Sequence, residues 1–167
     1  MRVPDSTRLP KANSLRAPLM CLGEARFGII FGVVGAARDS FEVALEYAST
    51  REQFDGPISR HQLTQEKLAR MATRLNTSML LALHIGKLKD DHKIEPAQIS
   101  MGKFNNVHTA LEIAREARSI LGAAGITTEY SIFRHMNNLE SVLTYEGTHE
   151  IHALTIGQAL TGIAAFR

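Results

Sequence analysis

Residues 19–50 read LMCLGEARFGIIFGVVGAARDSFEVALEYAST, and this segment is the strongest indication of the fold class. Apolar residues recur in it at steps of three and four, the spacing of one helix face, and a second apolar row widens that face. A helix that is apolar around much of its circumference is buried on several faces by neighbouring elements. Because glycine costs about 1 kcal/mol relative to alanine inside a helix, Gly28 and Gly32 predict close approach by a neighbouring helix.

The remaining sequence predicts further helices and no sheet. After a turn signal at residues 55–57 (DGP), a second helix is predicted over 59–91. A third begins near Pro96, since proline suits the first helical turn, and it ends at Gly122. Shorter helices are predicted over residues 131–138 and 148–164. Three helices of about thirty residues and a shorter fourth are typical of an all-α, antiparallel up-down four-helix bundle.

The N-terminal residues differ in composition from the rest. Residues 1–18 contain Pro4, Pro10 and Pro18 with polar residues between them, as in a linker and not a helix. The chain is therefore predicted to consist of a linker or the end of a preceding domain over residues 1–18, and a helical domain over residues 19–167.

Composition argues against several classes of function. The net charge is +2, from 19 basic and 17 acidic residues, which is too small to indicate nucleic-acid binding. The single Cys21 cannot form an internal disulfide, which indicates a reducing compartment. The most apolar run, residues 27–37, is shorter than a bilayer span, so no membrane segment is predicted. His149 and His152 lack a third ligand at metal-binding spacing, so no metal site is predicted.

Residues 144–152, TYEGTHEIH, place a carboxylate beside a glycine just before the last predicted helix. A base that takes a carbon-bound proton must lie within reach of that carbon, and glycine lets the backbone approach a ligand closely. From spacing alone, the plainer interpretation is a loop before a helix in which Glu146 is solvated.

The order of residues in this segment closely resembles the active-site segment of acyl-CoA dehydrogenases. Its ending, HEIH, is most similar to the glutaryl-CoA dehydrogenase branch. Three more stretches resemble the family in the same order and spacing: residues 47–54 (YASTREQF), 61–63 (HQL) and 134–140 (RHMNNLE). The resemblance runs from about Val3 to the C-terminus. It implies the C-terminal domain of a longer enzyme, with residues 1–18 leaving a central β-domain.

The resemblance also implies a role for individual residues. The glutamate that matches Glu146 removes the α-proton of an acyl-CoA thioester in this family, while the β-hydrogen leaves as hydride to FAD. The backbone N–H of the same glutamate helps to stabilise charge on the thioester oxygen. The implied substrate contacts are Leu22, Gly23, Ala25, Arg26, Tyr145 and Gly147. The implied FAD contacts are Arg51, Gln53, Phe54, Gln62, Gly122, Thr148 and Phe166.

Several of these positions have plainer interpretations. Arg51 at a helix C-terminus favours the helix dipole without any ligand, and Thr148 is suited to cap the last helix. Gln62 fits a polar first turn, Tyr145 a core aromatic with a bonded hydroxyl, and Arg26 a surface cation.

The sequence also departs from the family pattern at three places. Asp55 stands where a glycine commonly follows the phenylalanine, which makes the local turn uncertain. Ala123 and Ala124 replace the middle of a Gly-Gly-Asn-Gly loop, and Gly23 stands where Asp or Asn is frequent. These changes put one close backbone approach and one polar contact in doubt.

The resemblance implies an FAD-dependent dehydrogenase that converts glutaryl-CoA to crotonyl-CoA with decarboxylation. The implied partners are the acyl-CoA substrate, an electron-transfer flavoprotein and three further copies of the chain in a homotetramer. The implied location is the cytoplasm in a bacterium or the mitochondrial matrix in a eukaryote. Two alternatives stay open: a non-catalytic helical oligomerisation or interaction module, and a dehydrogenase or oxidase for a different acyl-CoA.

Overall fold

The computed structural model describes residues 2–12 and 14–165. Five α-helices form the fold: α1 (Arg16–Thr50), α2 (Gln62–Asp90), α3 (Pro96–Leu121), α4 (Ile132–Thr144) and α5 (His149–Thr161). Short 3₁₀ turns lie at Asp5–Thr7, Ile58–Arg60 and Gly122–Ile126. The described residues contain no β-strand, and the prediction of an all-α fold is confirmed.

Four helix ends differ from the predicted ones by three residues or more. Helix α2 begins at Gln62 and not at residue 59, because Ile58–Arg60 forms a 3₁₀ turn. Helix α1 begins at Arg16, so residues 16–18 are helical and not linker; Pro18 lies in the first turn, where its missing N–H costs nothing. Helix α4 continues to Thr144, because Leu139 is buried in the core and packing outweighs local propensity. Helix α5 ends at Thr161, where Gly162 takes a left-handed conformation with φ of 73°.

The three long helices run up, down and up. Lys89 near the end of α2 pairs with Glu24 near the start of α1, so these two helices are antiparallel. Lys67 near the start of α2 lies 3.7 Å from the carboxylate of Glu116 near the end of α3, so α2 and α3 are also antiparallel. Helix α3 therefore runs parallel to α1, and it packs against all four other α-helices.

The closest helix crossing lies at a glycine of α3. A Cβ atom on Gly102 would come within 2.5 Å of the Cδ1 atoms of Ile30 on α1 and Ile85 on α2, both of which are buried. By contrast, a Cβ on Gly28 or Gly32 would meet no atom within 4 Å. Within this chain, the close approach that was predicted at Gly28 and Gly32 is therefore found at Gly102.

Helix α1 keeps much of its apolar surface exposed. By length and composition alone it is long and apolar enough to cross a membrane, with a mean hydropathy of 1.6 in its most apolar window, which the sequence analysis did not predict. Core helices of soluble proteins pass the same test, but only 11% of this window is buried inside the chain. The exposed apolar residues indicate a surface that is suited to further packing.

Gly102→Ala is expected to lower the free energy of unfolding by about 1–3 kcal/mol, because the new methyl group would displace two buried isoleucines. Gly28→Ala is the matched control in open space, and it is expected to be neutral or stabilising by up to about 1 kcal/mol. Urea unfolding followed by circular dichroism measures both. Equal stability of the two variants would contradict the tight crossing at Gly102.

Candidate active site

The loop between α4 and α5 has an uncommon backbone at the glutamate predicted to be the base. Glu146 has a φ of 59° and Gly147 a φ of 92°, so two consecutive residues are left-handed. Side chains other than glycine rarely adopt this conformation, and it persists where surrounding contacts hold it. The contacts of this loop therefore explain how Glu146 is held in the left-handed conformation.

Two cationic side chains hold three consecutive carbonyl groups of this loop. The Nζ of Lys103 on α3 donates to the carbonyl oxygens of Tyr145, at 2.5 Å, and Gly147, at 2.7 Å. The Nε of Arg26 on α1 donates to the carbonyl oxygen of Glu146 at 2.7 Å. Helices α1 and α3 thus fix the loop from two sides, and the structure brings Tyr145, Glu146, Gly147 and Arg26 close together.

Lys103 is one of the most deeply buried polar side chains of the chain, with 2% of its surface exposed. Burial, followed by the charge of Arg26, lowers the pKa of its ammonium to about 8, although Glu146 acts in the opposite direction. At pH 7 the charged form still exceeds the neutral form about tenfold. Lys103 therefore acts on the loop as a cation.

His152 lies on the first turns of α5 directly behind the loop, and it is 1% exposed. A Cβ on Gly147 would come within 3.2 Å of its Nε2. Neither ring nitrogen has a hydrogen-bond partner in the part of the chain that the structure describes. Burial, followed by the charges of Lys103 and Arg26, lowers the pKa of His152 to about 4. The imidazole is therefore neutral at physiological pH.

The side chain of Glu146 is partly buried. Its Oε2 atom is buried and has no hydrogen-bond partner among the described residues. The neighbouring Tyr145 lines a cavity of about 230 Å³ between α1 and α4, to which Ile29, Gly32 and His135 also contribute. Glu146 follows this lining residue directly in the chain, and a general base must come within hydrogen-bond reach of the proton that it takes.

An open groove of about 760 Å³ runs along the first half of α1. Gly23 and Arg26 line it, whereas Leu22 and Ala25, which were also predicted to contact substrate, do not. The Nε of Arg26 is bound to the loop carbonyl, a contact that was not predicted. At the other side of the loop, the Thr148 hydroxyl accepts a hydrogen bond of 3.4 Å from the backbone N–H of Ile151 and caps α5.

A second group of predicted residues lies at the opposite end of α1. Arg51 follows α1 directly, and 25 residues of helix separate it from Arg26, about 37 Å at 1.5 Å per residue. Gln53 and the first residue of α2, Gln62, lie at this same end and are exposed. Gly122 also lies there, because α3 runs parallel to α1. The structure does not bring these residues near Glu146, and Phe166 lies outside the described residues.

The turn after Arg51 presents an aromatic side chain to solvent. The backbone N–H of Gln53 bonds the carbonyl of Gly56 at 2.9 Å, and Phe54 and Asp55 between them have φ of 56° and 64°. Two left-handed residues in a row form the tight turn that usually takes glycine or asparagine. Phe54 is 85% exposed, and its ring meets His61 edge to face.

Sequence reasoning missed Lys103 and His152 as residues of this site. Lys103 has a signal in the sequence, since it interrupts the apolar face of α3 between Ile99 and Val107, and a cation on a buried face needs a partner. His152 was considered only as a metal ligand. The described residues contain no group of three or more His, Cys, Asp or Glu side chains that could hold a metal ion.

The sequence of this chain matches a known protein family over most of its length. The profile of the family "Acyl-CoA dehydrogenase, C-terminal domain" matches residues 15–161, so the chain belongs to this family. Among curated proteins, the mitochondrial short-chain specific acyl-CoA dehydrogenase of Rattus norvegicus is 33% identical over 159 residues, covering 91% of this chain and 39% of the relative. The chain thus spans about two-fifths of the length of this relative.

Solved structures give a more specific likeness. The glutaryl-CoA dehydrogenase of Mycobacterium smegmatis is 64% identical with a TM-score of 0.96, over 99% of this chain and 43% of that chain. A structure of a glutaryl-CoA dehydrogenase from the same organism in complex with FADH2 gives 61% and 0.95, with the same coverage. A structure described as the electron transferring flavoprotein of Acidaminococcus fermentans contains a chain that is 31% identical, with a TM-score of 0.81, over 84% of this chain and 37% of that chain.

Stability is expected to fall as the pH drops from about 6.5 to about 4. The folded pKa of His152 lies below its unfolded value, so in this window the unfolded chain binds the extra proton and is favoured. His152→Gln should flatten this dependence, whereas the exposed His84→Gln on α2 should keep it. Urea midpoints at several pH values measure the slope. The same slope in His152→Gln as in the native chain would contradict a buried neutral imidazole.

Proposed function

We propose that this chain is the base-bearing domain of an FAD-dependent glutaryl-CoA dehydrogenase, with Glu146 as the base. The observation that carries the proposal is the unpaired, buried Oε2 of Glu146 on a loop that α1 and α3 hold in a left-handed conformation. The choice of glutaryl-CoA is supported by the 64% identity to the enzyme of Mycobacterium smegmatis. A non-catalytic interaction module is not favoured, because the chain matches a family of dehydrogenases over most of its length.

In the proposed reaction, the Oε2 of Glu146 takes the α-proton of the acyl-CoA thioester. Negative charge then develops on the thioester oxygen and needs a placed donor. The backbone N–H of Glu146 is suited to this role, because the trans peptide unit points it away from the carbonyl that Lys103 holds. FAD, when bound, supplies the acceptor for the β-hydride. The terminal carboxylate of the unsaturated product then leaves as carbon dioxide, and the carbon that carried it takes up a proton to give crotonyl-CoA.

The residues present fit a bound FAD at two separate places. Thr148 lies two residues after Glu146 and would meet the cofactor near the reacting carbon. Arg51 and Phe54 at the other end of α1 are exposed, and Arg51 has no ion-pair partner in the part of the chain that the structure describes. A free guanidinium suits a diphosphate. Gln53, Gln62 and Gly122 lie at the same end and complete this second group.

The distance between these groups supports an oligomer. Arg26, which holds the loop just before Thr148, is about 37 Å of helix from Arg51. Because this exceeds the length of an extended FAD molecule, one cofactor would draw Thr148 and Arg51 from different copies of the chain. Exposed leucines along α2 supply apolar surface for such contacts: Leu63, Leu80 and Leu83 are 79%, 66% and 64% exposed. We therefore include a homotetramer in the proposal.

The remaining parts of the proposal concern the rest of the enzyme. Because the chain spans about two-fifths of its relatives, the activity is assigned to a longer polypeptide in which the residues before α1 leave a preceding β-domain and the helical domain begins at Arg16. Electrons pass to an electron-transfer flavoprotein, as the Acidaminococcus fermentans structure suggests. The proposed location is the cytoplasm of a bacterium or the mitochondrial matrix of a eukaryote, consistent with the bacterial and mitochondrial relatives.

Glu146→Gln is expected to abolish dehydrogenation while FAD stays bound, because the amide keeps the shape of the side chain and cannot take the proton. Glu150→Gln, an exposed carboxylate on α5, is the matched control and should leave turnover near the native value. Steady-state reduction of an artificial electron acceptor with glutaryl-CoA measures both. Native-like turnover in Glu146→Gln would contradict the assignment of Glu146 as the base.

Arg51→Ala is expected to weaken FAD retention, because it removes the guanidinium proposed to bind the diphosphate. Arg38→Ala, which removes an exposed arginine paired with Glu42 on the same helix, serves as the control. The ratio of flavin to protein absorbance after gel filtration measures retention. Equal flavin content in both variants would mean that Arg51 serves only the end of α1.

A further inference from the structure

Lys103 has no role in the proposed reaction as described so far, yet its surroundings are unusual. Its ammonium is buried, and the partners within hydrogen-bond distance are the carbonyl oxygens on either side of Glu146. Burying a charge costs several kcal/mol unless it is well bonded. Charge-assisted hydrogen bonds of 2.5 and 2.7 Å supply such bonding. The stability of this cation thus depends on one conformation of the loop.

The two bonds determine which way the backbone donors of the loop point. A trans peptide unit is planar, with its C=O and N–H on opposite sides, and the described residues contain no cis peptide bond. Holding the carbonyl of Tyr145 therefore aims the N–H of Glu146 away from Lys103. Holding the carbonyl of Gly147 aims the N–H of Thr148 in the same way, and Arg26 fixes the peptide unit between them.

The N–H of Glu146 is free to serve a ligand. No acceptor for it occurs among the hydrogen bonds of the described residues. The left-handed φ of Glu146 is costly for a residue with a side chain, so the loop would relax if its carbonyls lost their donors. Relaxation would move the N–H and the carboxylate of Glu146 together, since both belong to the same residue.

The groups around Lys103 agree with a role in holding this conformation. Arg26 from α1 adds a second positive charge, Glu146 from the loop is the nearby anion, and the neutral His152 from α5 closes the back of the loop. The ring of Tyr145 lies 5.9 Å from the ammonium. Among the residues that the structure describes, Glu146 is the acidic side chain that raises the pKa of Lys103.

We propose that Lys103, together with Arg26, is a positioning residue that locks the backbone of residues 145–147, so that the N–H of Glu146 faces the thioester oxygen while its carboxylate faces the α-carbon. The proposal rests on the proposed function and adds the residues that orient its oxyanion donor. Lys103 acts through the loop and does not touch the substrate.

Lys103→Met in the FAD-bound whole protein tests the lock, because methionine keeps much of the length and removes the donors. We expect kcat for glutaryl-CoA to fall about 10²- to 10³-fold, the cost of losing one oxyanion donor, with KM little changed. A second readout does not depend on turnover. The carbonyl stretch of bound [1-¹³C]crotonyl-CoA, lowered in the native protein by the N–H of Glu146, should return toward its value in water.

Lys67→Met is the matched control. The Nζ of Lys67 on α2 also bonds to another helix, donating to the hydroxyl oxygen of Ser119 on α3 at 2.9 Å, but it lies far from the loop. This variant should leave kcat and the carbonyl band unchanged. Arg26→Gln removes the other half of the lock from a half-buried position, so it decides the question if Lys103→Met does not fold. A fall in kcat indicates loop positioning, whereas a rise in KM alone would assign Arg26 to substrate binding and contradict the lock.

The outcomes separate the two proposals. A native protein that holds FAD but does not oxidise any acyl-CoA overturns the proposed function and the positioning role with it. Normal native turnover, together with native kcat and an unmoved carbonyl band in folded Lys103→Met, overturns the positioning role alone.

Discussion

The buried ammonium of Lys103 constrains this site more than any other group. A cation in the interior must be bonded, because leaving it unpaired costs several kcal/mol, and its acceptors here are two carbonyls of the loop that carries Glu146. The dependence is mutual, since the left-handed loop also needs a hydrogen-bond donor to hold it. The conformation of the loop and the burial of Lys103 thus stabilise each other.

The packing of the helices explains why this lysine can reach the loop. Gly102 lets α3 approach Ile30 and Ile85 closely, and the next residue, Lys103, then points to the end of α4. Arg26 reaches the same loop from α1, four residues before Ile30. Helix packing and placement of the base therefore depend on the same short stretch of α3, and a change in this crossing would disturb both.

The sequence predicted the long helices well, because the apolar spacing of residues 19–50 repeats over many turns and does not depend on distant contacts. The resemblance of the segment around Glu146 also predicted this residue as the base, and that role stays a prediction. It did not predict that Lys103 and His152 belong to the site. The partners of Lys103 are backbone carbonyls 42 and 44 residues away, and the ring nitrogens of His152 have no hydrogen-bond partner among the described residues. Neither arrangement gives a spacing pattern that identifies a site. The end of α4 was missed because burial of Leu139 decides it.

We propose this chain as the part of a glutaryl-CoA dehydrogenase that holds the base and positions the oxyanion donor. The most direct measurement is anaerobic addition of glutaryl-CoA to the FAD-bound whole protein, followed by the visible absorbance of the flavin. We expect the visible absorbance of the flavin to bleach promptly, with carbon dioxide released on turnover. Bound FAD that stays oxidised with glutaryl-CoA would contradict the assigned substrate, and if it also stays oxidised with shorter and longer acyl-CoA thioesters, the assigned chemistry is wrong.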